Sequence, residues 1–243
     1  MPYFPYFRLL QLHVPKTGGT SLENTCRELL RIEFFDYQES KERYKKGDRK
    51  WQDVNLYGFT KVDGEEFALQ HMTFSQIKEW GYLDDKEIDQ IVIVVRHPYS
   101  RLVSEYKWQL MFGYVGTFNQ FVREVWQKKW HKSRKFHQHL VPQFEFLRGI
   151  ELTDKRLHVI YFEHMKEAMQ MFFDDMKTTF EVFKDAELRR DNDIKDLLNE
   201  SAIAAKPWRE FYHNDPELFN IIGKMYEEDF KIFGYEKNIK DIE

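Results

Sequence analysis

Apolar positions along this chain form two kinds of run. Leu9–Val14 and Leu157–Phe162 are short and largely apolar, and Ile91–Val95 (IVIVV) is an unbroken β-branched stretch. Runs of this kind suit strands, and the last suits a central parallel strand buried on both faces. Between them, apolar residues recur at helical spacing. The first helix is predicted from Ser21 to about Arg31, with Leu22, Cys26, Leu29 and Leu30 on one face. Others are predicted over Tyr99 to about Phe112, Phe118–Lys129, part of Glu163–Phe183, and Glu217–Phe233, the last stopped near Gly234. Asn55–Val62 and Phe67–Met72 read as short strands, and Phe74–Trp80 as a short helix. Glu39–Lys50 is mostly charged and polar and reads as an exposed loop or helix. Strands that alternate with helices predict an α/β fold around a parallel sheet.

Composition narrows the classes. With 243 residues, no internal repeat and no Pro/Gly/Ser-rich linker, residues 1–243 read as a single domain. Hydrophobic residues make up 42% of the chain, enough for a substantial core, and the net charge of −4 argues against a general binder of nucleic acid or membrane surfaces. Cys26 is the only cysteine, which excludes an internal disulfide and a CxxC metal site. It falls in the first predicted helix and reads as a packing residue. No apolar run approaches the roughly 20 residues of a membrane span, and MPYFPYFRLL lacks the pattern of a signal peptide. The expectation is a soluble, cytoplasmic protein, or one of the Golgi lumen if an N-terminal anchor has been removed.

The candidate chemistry starts where the first strand ends. Pro15-Lys16-Thr17-Gly18-Gly19-Thr20-Ser21 joins that strand to the first helix. A glycine turn that opens a helix is a ready anion site, because free N–H groups and the helix dipole meet there. Lys16 adds a positive charge. The order of residues departs from a nucleotide-triphosphatase loop, G-x-x-x-x-G-K-[ST], since Lys16 precedes the glycines and no Gly-Lys pair follows. Taken alone, the segment also reads as a tight turn before a capped helix. A second element follows Ile91–Val95: Arg96-His97-Pro98-Tyr99-Ser100-Arg101-Leu102-Val103-Ser104. Pro98 suits the first turn of a helix. Arg96 sits at the strand's end, and Arg101 and Ser104 share a helix face, where arginine forks and a hydroxyl can hold phosphate. Alone, Arg101 and Glu105 also read as solvated helix charges. Ligands on parallel sheets bind beyond the carboxyl ends of the strands, so Lys16 and Arg96 can face one crevice.

Together the two segments resemble the cofactor signature of sulfotransferases, most closely the carbohydrate type that includes heparan sulfate 2-O-sulfotransferases. That family carries P-K-T-G-[GS]-[TS]-S for a 5′-phosphosulfate and R-x-P-x-x-R-x-x-S for a 3′-phosphate. Pro15–Ser21 matches the first; Arg96, Pro98, Arg101 and Ser104 match the second. Weaker likeness continues through Pro142-Gln143 with Phe146-Leu147, Val159–Met165 (VIYFEHM) and Tyr226–Tyr235. The resemblance implies a P-loop-like three-layer fold with a central parallel sheet flanked by helices. It implies 3′-phosphoadenosine 5′-phosphosulfate as donor, adenosine 3′,5′-bisphosphate as product, no metal, and a hydroxyl or amine acceptor, by closest likeness a glycan hydroxyl. The charge balance and the lack of a long apolar run lead to the expectation of no nucleic-acid partner and no membrane segment in this chain.

Sulfuryl transfer needs an activated nucleophile, in-line positioning and neutralised charge on the leaving phosphate. Lys16 suits the last role. Thr17, Gly18, Gly19, Thr20 and Ser21 are expected to hold the 5′-phosphate, and Arg96, Ser104 and Arg101 the 3′-phosphate. His71 is the expected general base, since it lies near a predicted strand end between the two motifs and histidine suits proton transfer near neutral pH. In the resembling 2-O-sulfotransferases a catalytic histidine has a similar place in the order. Glu33, among Phe34 and Phe35, is the rival, as other carbohydrate sulfotransferases carry a catalytic glutamate there; it also reads as a surface acid. His13 reads as structural, and His97 adjoins the site. Asn199–Ser201 and Lys206-Pro207-Trp208-Arg209 resemble a loop that closes over the nucleotide, with Lys206 or Arg209 near phosphate. The basic run Lys128 to Lys135 reads as a solvated face. Two other classes remain: a non-catalytic nucleotide-binding module of the same fold, and a P-loop-type phosphotransferase.

Overall fold

The apolar runs become the parallel strands of a four-stranded sheet. The computed structural model describes residues 2–4, 7–30, 58–133, 137–179, 206–212 and 215–238. Strands β1 (Tyr3–Phe4), β2 (Leu9–Leu12), β5 (Gln90–Val95) and β6 (Leu157–Tyr161) lie in the order β1-β2-β5-β6. Strands β3 (Phe59–Val62) and β4 (Glu65–Ala68) form a separate antiparallel hairpin. β2, β5 and β6 are parallel, with Leu10 opposite Ile91 and Val95 opposite Tyr161. β5 is the central strand, as its β-branched run predicts. β6 is less buried than a core strand, because β5 is its only neighbour among the described residues.

Alternation along β5 supplies both faces. Ile91, Ile93 and Val95 join Leu10 and Leu12 on one side, packed on Met72, Phe74, Ile77 and Phe146. Val92 and Val94 join Leu9 and Ile160 on the other. There they meet Leu22 and Cys26 of α1 (Gly19–Leu30) and Phe172 and Phe173 of α5 (Met165–Thr179). The short helix α2 (Phe74–Glu79) covers the first face, so the fold is a three-layer α/β arrangement. Cys26 is buried and burial raises its thiol pKa, in keeping with a packing role. Beyond β5, α3 (Pro98–Met111), α4 (Phe118–Gln127) and α6 (Glu217–Met225) enclose a second apolar cluster of Tyr99, Tyr106, Phe121, Val125 and Ile222. Among the described residues no helix is long and apolar enough to cross a membrane.

The expected central parallel sheet is present, and β1 adds an antiparallel edge to β2 (Tyr3 with Leu10), two residues being too few to show a period in the sequence. Two other expectations need correction. Phe67–Met72 is not one strand: β4 ends at Ala68, and Leu69–His71 is a 3-10 turn. Its hairpin turns on Asp63 and Gly64, both with positive φ, the geometry that matches the twist of paired strands. The last helix is broken at Tyr226, between α6 and α7 (Glu227–Ile232). The buried Tyr226 donates its hydroxyl to the Leu140 carbonyl at 3.1 Å, which anchors the break. Glu33, Glu39–Lys50 and Asn199–Ser201 lie outside the described residues.

Candidate active site

The chain leaves β2 through a turn that only glycine can complete. Gly18 has φ +85°, and a Cβ there would lie 2.9 Å from Met165 Sδ and 3.0 Å from Phe162 Cδ2. A Cβ on Gly19 would lie 2.7 Å from His13 Cδ2. Neither position has room for a side chain. Thr17 donates its hydroxyl to the Val14 carbonyl at 2.9 Å, and Gln11 Nε2 donates to the Gly19 carbonyl at 2.7 Å. The amides of Ser21 and Leu22 donate to the Gly18 carbonyl. Gly19 and Thr20, the first residues of α1, have no helical carbonyl to bond, so their amides remain for an anion. Thr20 is exposed, whereas Thr17 is buried with its hydroxyl turned inward. The Thr17 hydroxyl therefore closes the turn.

Lys16 adopts φ +66°, an uncommon conformation for a residue with a side chain. Its Nζ lies 4.3 Å from the centroid of the Trp108 ring. Burial lowers the Lys16 pKa, opposed by Glu105 and assisted by Arg96. A partly desolvated ammonium of this kind gains most from an incoming anion.

Arg96 follows β5 directly. Its Nε donates to Ser100 Oγ at 2.9 Å and its Nη1 to the Lys16 carbonyl at 3.3 Å, so the two motifs touch. The guanidinium lies over Phe162, with Cζ 4.1 Å from the ring centroid. Burial lowers its pKa to about 10, so it stays charged at neutral pH. The Arg96 backbone is clamped by Gln143, whose Oε1 accepts from its N–H and whose Nε2 donates to its carbonyl, both at 2.8 Å. Asp229 in turn accepts from the amides of Gln143 and Phe144, both at 2.9 Å. Glu163 accepts from the His97 amide at 2.8 Å and from the Tyr235 hydroxyl at 3.0 Å. The weaker sequence likenesses are thus the struts of this site.

Ser104 stands two turns along α3, and Lys107 follows it on the same face. Burial lowers the Lys107 pKa, and the charges of Arg96 and Lys206 lower it further, which marks a local excess of cations. Lys107 donates to the Lys206 carbonyl at 3.0 Å, while the Lys206 ammonium lies 3.8 Å from Glu210. Trp208 stacks on His97 at 5.7 Å. Arg101 has a different setting. It is 3% exposed, and it donates through Nε to the Pro15 carbonyl at 3.1 Å and through Nη2 to those of His139 and Val141 at 2.9 Å. Three of its five N–H donors thus clamp two loops together.

His71 sits on the 3-10 turn beside the glycine loop. It is 9% exposed, and its Nδ1 donates to the His13 carbonyl at 3.2 Å, since a carbonyl can only accept. Nε2 is then the unprotonated nitrogen. Burial pushes its pKa well below the usual histidine value, helped by His139 and His13. His13 is buried, with Nδ1 3.4 Å from Glu23 Oε2. Sequence reasoning missed His139, which meets His71 edge-on at 4.9 Å between ring centroids. It also missed Glu105, Trp108 and Lys107. Their helical spacing from Arg101 and Ser104 was the available signal. His139 lies on an irregular segment with no such periodicity. In the basic run, Lys128 pairs with Glu124, as on a solvated face.

The three-layer fold places Lys16 and Arg96 together beyond the carboxyl ends of β2 and β5, the end at which parallel α/β sheets bind their ligands. A model of the sulfotransferase family matches residues 3–236, nearly the whole chain, and the protein belongs to that family. Searches of curated proteins and of solved structures found no match.

Proposed function

We propose that this sulfotransferase moves a sulfuryl group from 3′-phosphoadenosine 5′-phosphosulfate to an acceptor hydroxyl, that of a carbohydrate. The observation that carries the reading is the contact between the two motifs. Arg96 bonds the Lys16 carbonyl, so a 5′-phosphosulfate at α1 and a 3′-phosphate at Arg96 fall within one crevice. Gly19 and Thr20 offer amides to the 5′ end, with Thr17, Gly18 and Ser21 shaping the turn. Arg96 and Ser104 take the 3′-phosphate, with Lys107 and Lys206 adding charge. Arg101 holds the loop.

In the reaction the acceptor oxygen forms a bond to sulfur as the bond from sulfur to the bridging oxygen breaks. The electron pair passes to the departing phosphate, which Lys16 neutralises. A cation placed in advance is worth about 3 kcal/mol of transition-state stabilisation. The acceptor's proton passes to the imidazole cluster beside Lys16. His71, the expected base, offers Nε2 there, and His139 stands against its ring.

Calorimetry with adenosine 3′,5′-bisphosphate in EDTA tests the donor site. The native chain is expected to bind without metal, and Arg96→Ala to bind about 10- to 100-fold more weakly, the loss of one charge-assisted hydrogen bond. Folded native protein that does not bind overturns the proposal. Binding without transfer of labelled sulfate to any glycan or to water makes the chain a binding module.

A further inference from the structure

Glu105, on α3, is 1% exposed and faces His139. Its Oε2 lies 2.9 Å from His139 Nδ1, and its Oε1 accepts from Gln109 Nε2. Burial pushes the Glu105 carboxyl up, but His139, Gln109 and Lys16 together hold it below the usual carboxylate range. An ionised carboxylate only accepts, so Nδ1 of His139 carries the proton shared with it and Nε2 is the ring nitrogen left to take one. The His139 side chain is 29% exposed, whereas His71 is enclosed. One wall of His139 is Trp108, at 6.2 Å and nearly parallel, and the Lys16 ammonium lies over that same indole. The His139 carbonyl is held by Arg101. His139 is therefore held at its carbonyl by a buried arginine, at Nδ1 by a buried carboxylate and on its face by the indole that carries Lys16.

Resting on the sulfotransferase reading, we infer that His139, oriented by Glu105, takes the acceptor's proton, and that His71 is a positioning residue at its edge. The acceptor's O–H bond breaks as its oxygen bonds to sulfur. The proton goes to His139 Nε2, the Nδ1 proton stays in its bond to Glu105, and the exposed edge of the ring returns the extra proton to water. A carboxylate behind a histidine fixes the tautomer and stabilises the imidazolium as it forms. Among the described residues, the charged and titratable groups around His139 are Glu105, His71 and Arg101, with Lys16 reaching it through Trp108 and Glu105.

The test follows release of ³⁵S-sulfate from labelled phosphosulfate to water and to a desulfated heparin probe, across pH, beside calorimetry with the bisphosphate. His139→Asn is expected to lower kcat about 100- to 1,000-fold, to remove the acidic limb of the kcat profile and to regain turnover with added imidazole. Its bisphosphate affinity stays within about twofold of native. Glu105→Gln is expected to lower kcat about 10-fold and to shift the acidic limb to lower pH, because the imidazolium loses its partner. His71→Asn keeps that limb. The inference is overturned if His139→Asn, still binding the bisphosphate, keeps native kcat, or if His71→Asn alone removes the limb. A native chain that binds the bisphosphate and releases no sulfate fails the enzyme reading itself.

Discussion

Replacing Arg101 with lysine separates two roles that one motif residue can play. The guanidinium makes three bonds to carbonyls, at 3.1, 2.9 and 2.9 Å, from a position only 3% exposed. Lysine keeps the charge but cannot reach Pro15, His139 and Val141 together, so at least two carbonyls lose their donor. A hydrogen bond from a charged group is worth about 1.5–3 kcal/mol, which puts the two bonds lost in Arg101→Lys at about 3–6 kcal/mol of stability. That is a large share of the roughly 5–15 kcal/mol that holds a domain folded. At about 2–4 °C per kcal/mol for a chain of this size, the melting temperature falls by roughly 6–24 °C. The accompanying assay compares adenosine 3′,5′-bisphosphate with adenosine 5′-monophosphate. A clamp that positions the whole loop weakens both nucleotides alike and leaves their affinity ratio near the native one. A ligand of the 3′-phosphate lowers that ratio, as Arg96→Ala is expected to do. A variant with native melting temperature and a collapsed ratio would refute the clamp.

Two more outcomes are expected. Gly19→Ala places a methyl 2.7 Å from the His13 ring, so it should cost about 1–3 kcal/mol in urea unfolding and weaken bisphosphate binding; native values for both would show that the ring yields freely. Because burial lowers the Lys16 pKa, rising pH removes its proton earlier than from an exposed lysine near ~10.4, and kcat/KM should fall on the alkaline side below that value. Lys16→Arg, which stays protonated, should carry that limb upward even at reduced rate. An unmoved limb assigns it to another group.

Much of this was legible in the sequence for local reasons. IVIVV can be little but a buried strand, and a glycine turn opening a helix announces itself over seven residues. What escaped was set by distance along the chain. β1 was too short to show a period, and its pairing with Leu9–Leu10 depends on a chain reversal. Tyr226 looks helical by spacing, yet its hydroxyl is held by Leu140, 86 residues away. His71 was singled out because it lies between two motifs. His139 was not, since its partner Glu105 lies 34 residues earlier on another element. Arg101 was found by motif, but its occupation by loop carbonyls is a tertiary fact that no spacing encodes.

The clamp on Arg96 bears on how small this protein can be made. Both signature segments lie within residues 15–104, which invites excision of that stretch as a minimal nucleotide-binding fragment. Yet the Arg96 backbone is gripped by Gln143, and the amide of Gln143 is gripped by Asp229, 86 residues further on and fully buried. Arg96, the residue proposed to hold the 3′-phosphate, takes its aim from a carboxylate more than a hundred positions further along the chain. On that proposal the site is not a portable cassette, and an unfinished chain emerging from the ribosome would carry both signature segments well before Asp229 arrives to set Arg96 in place.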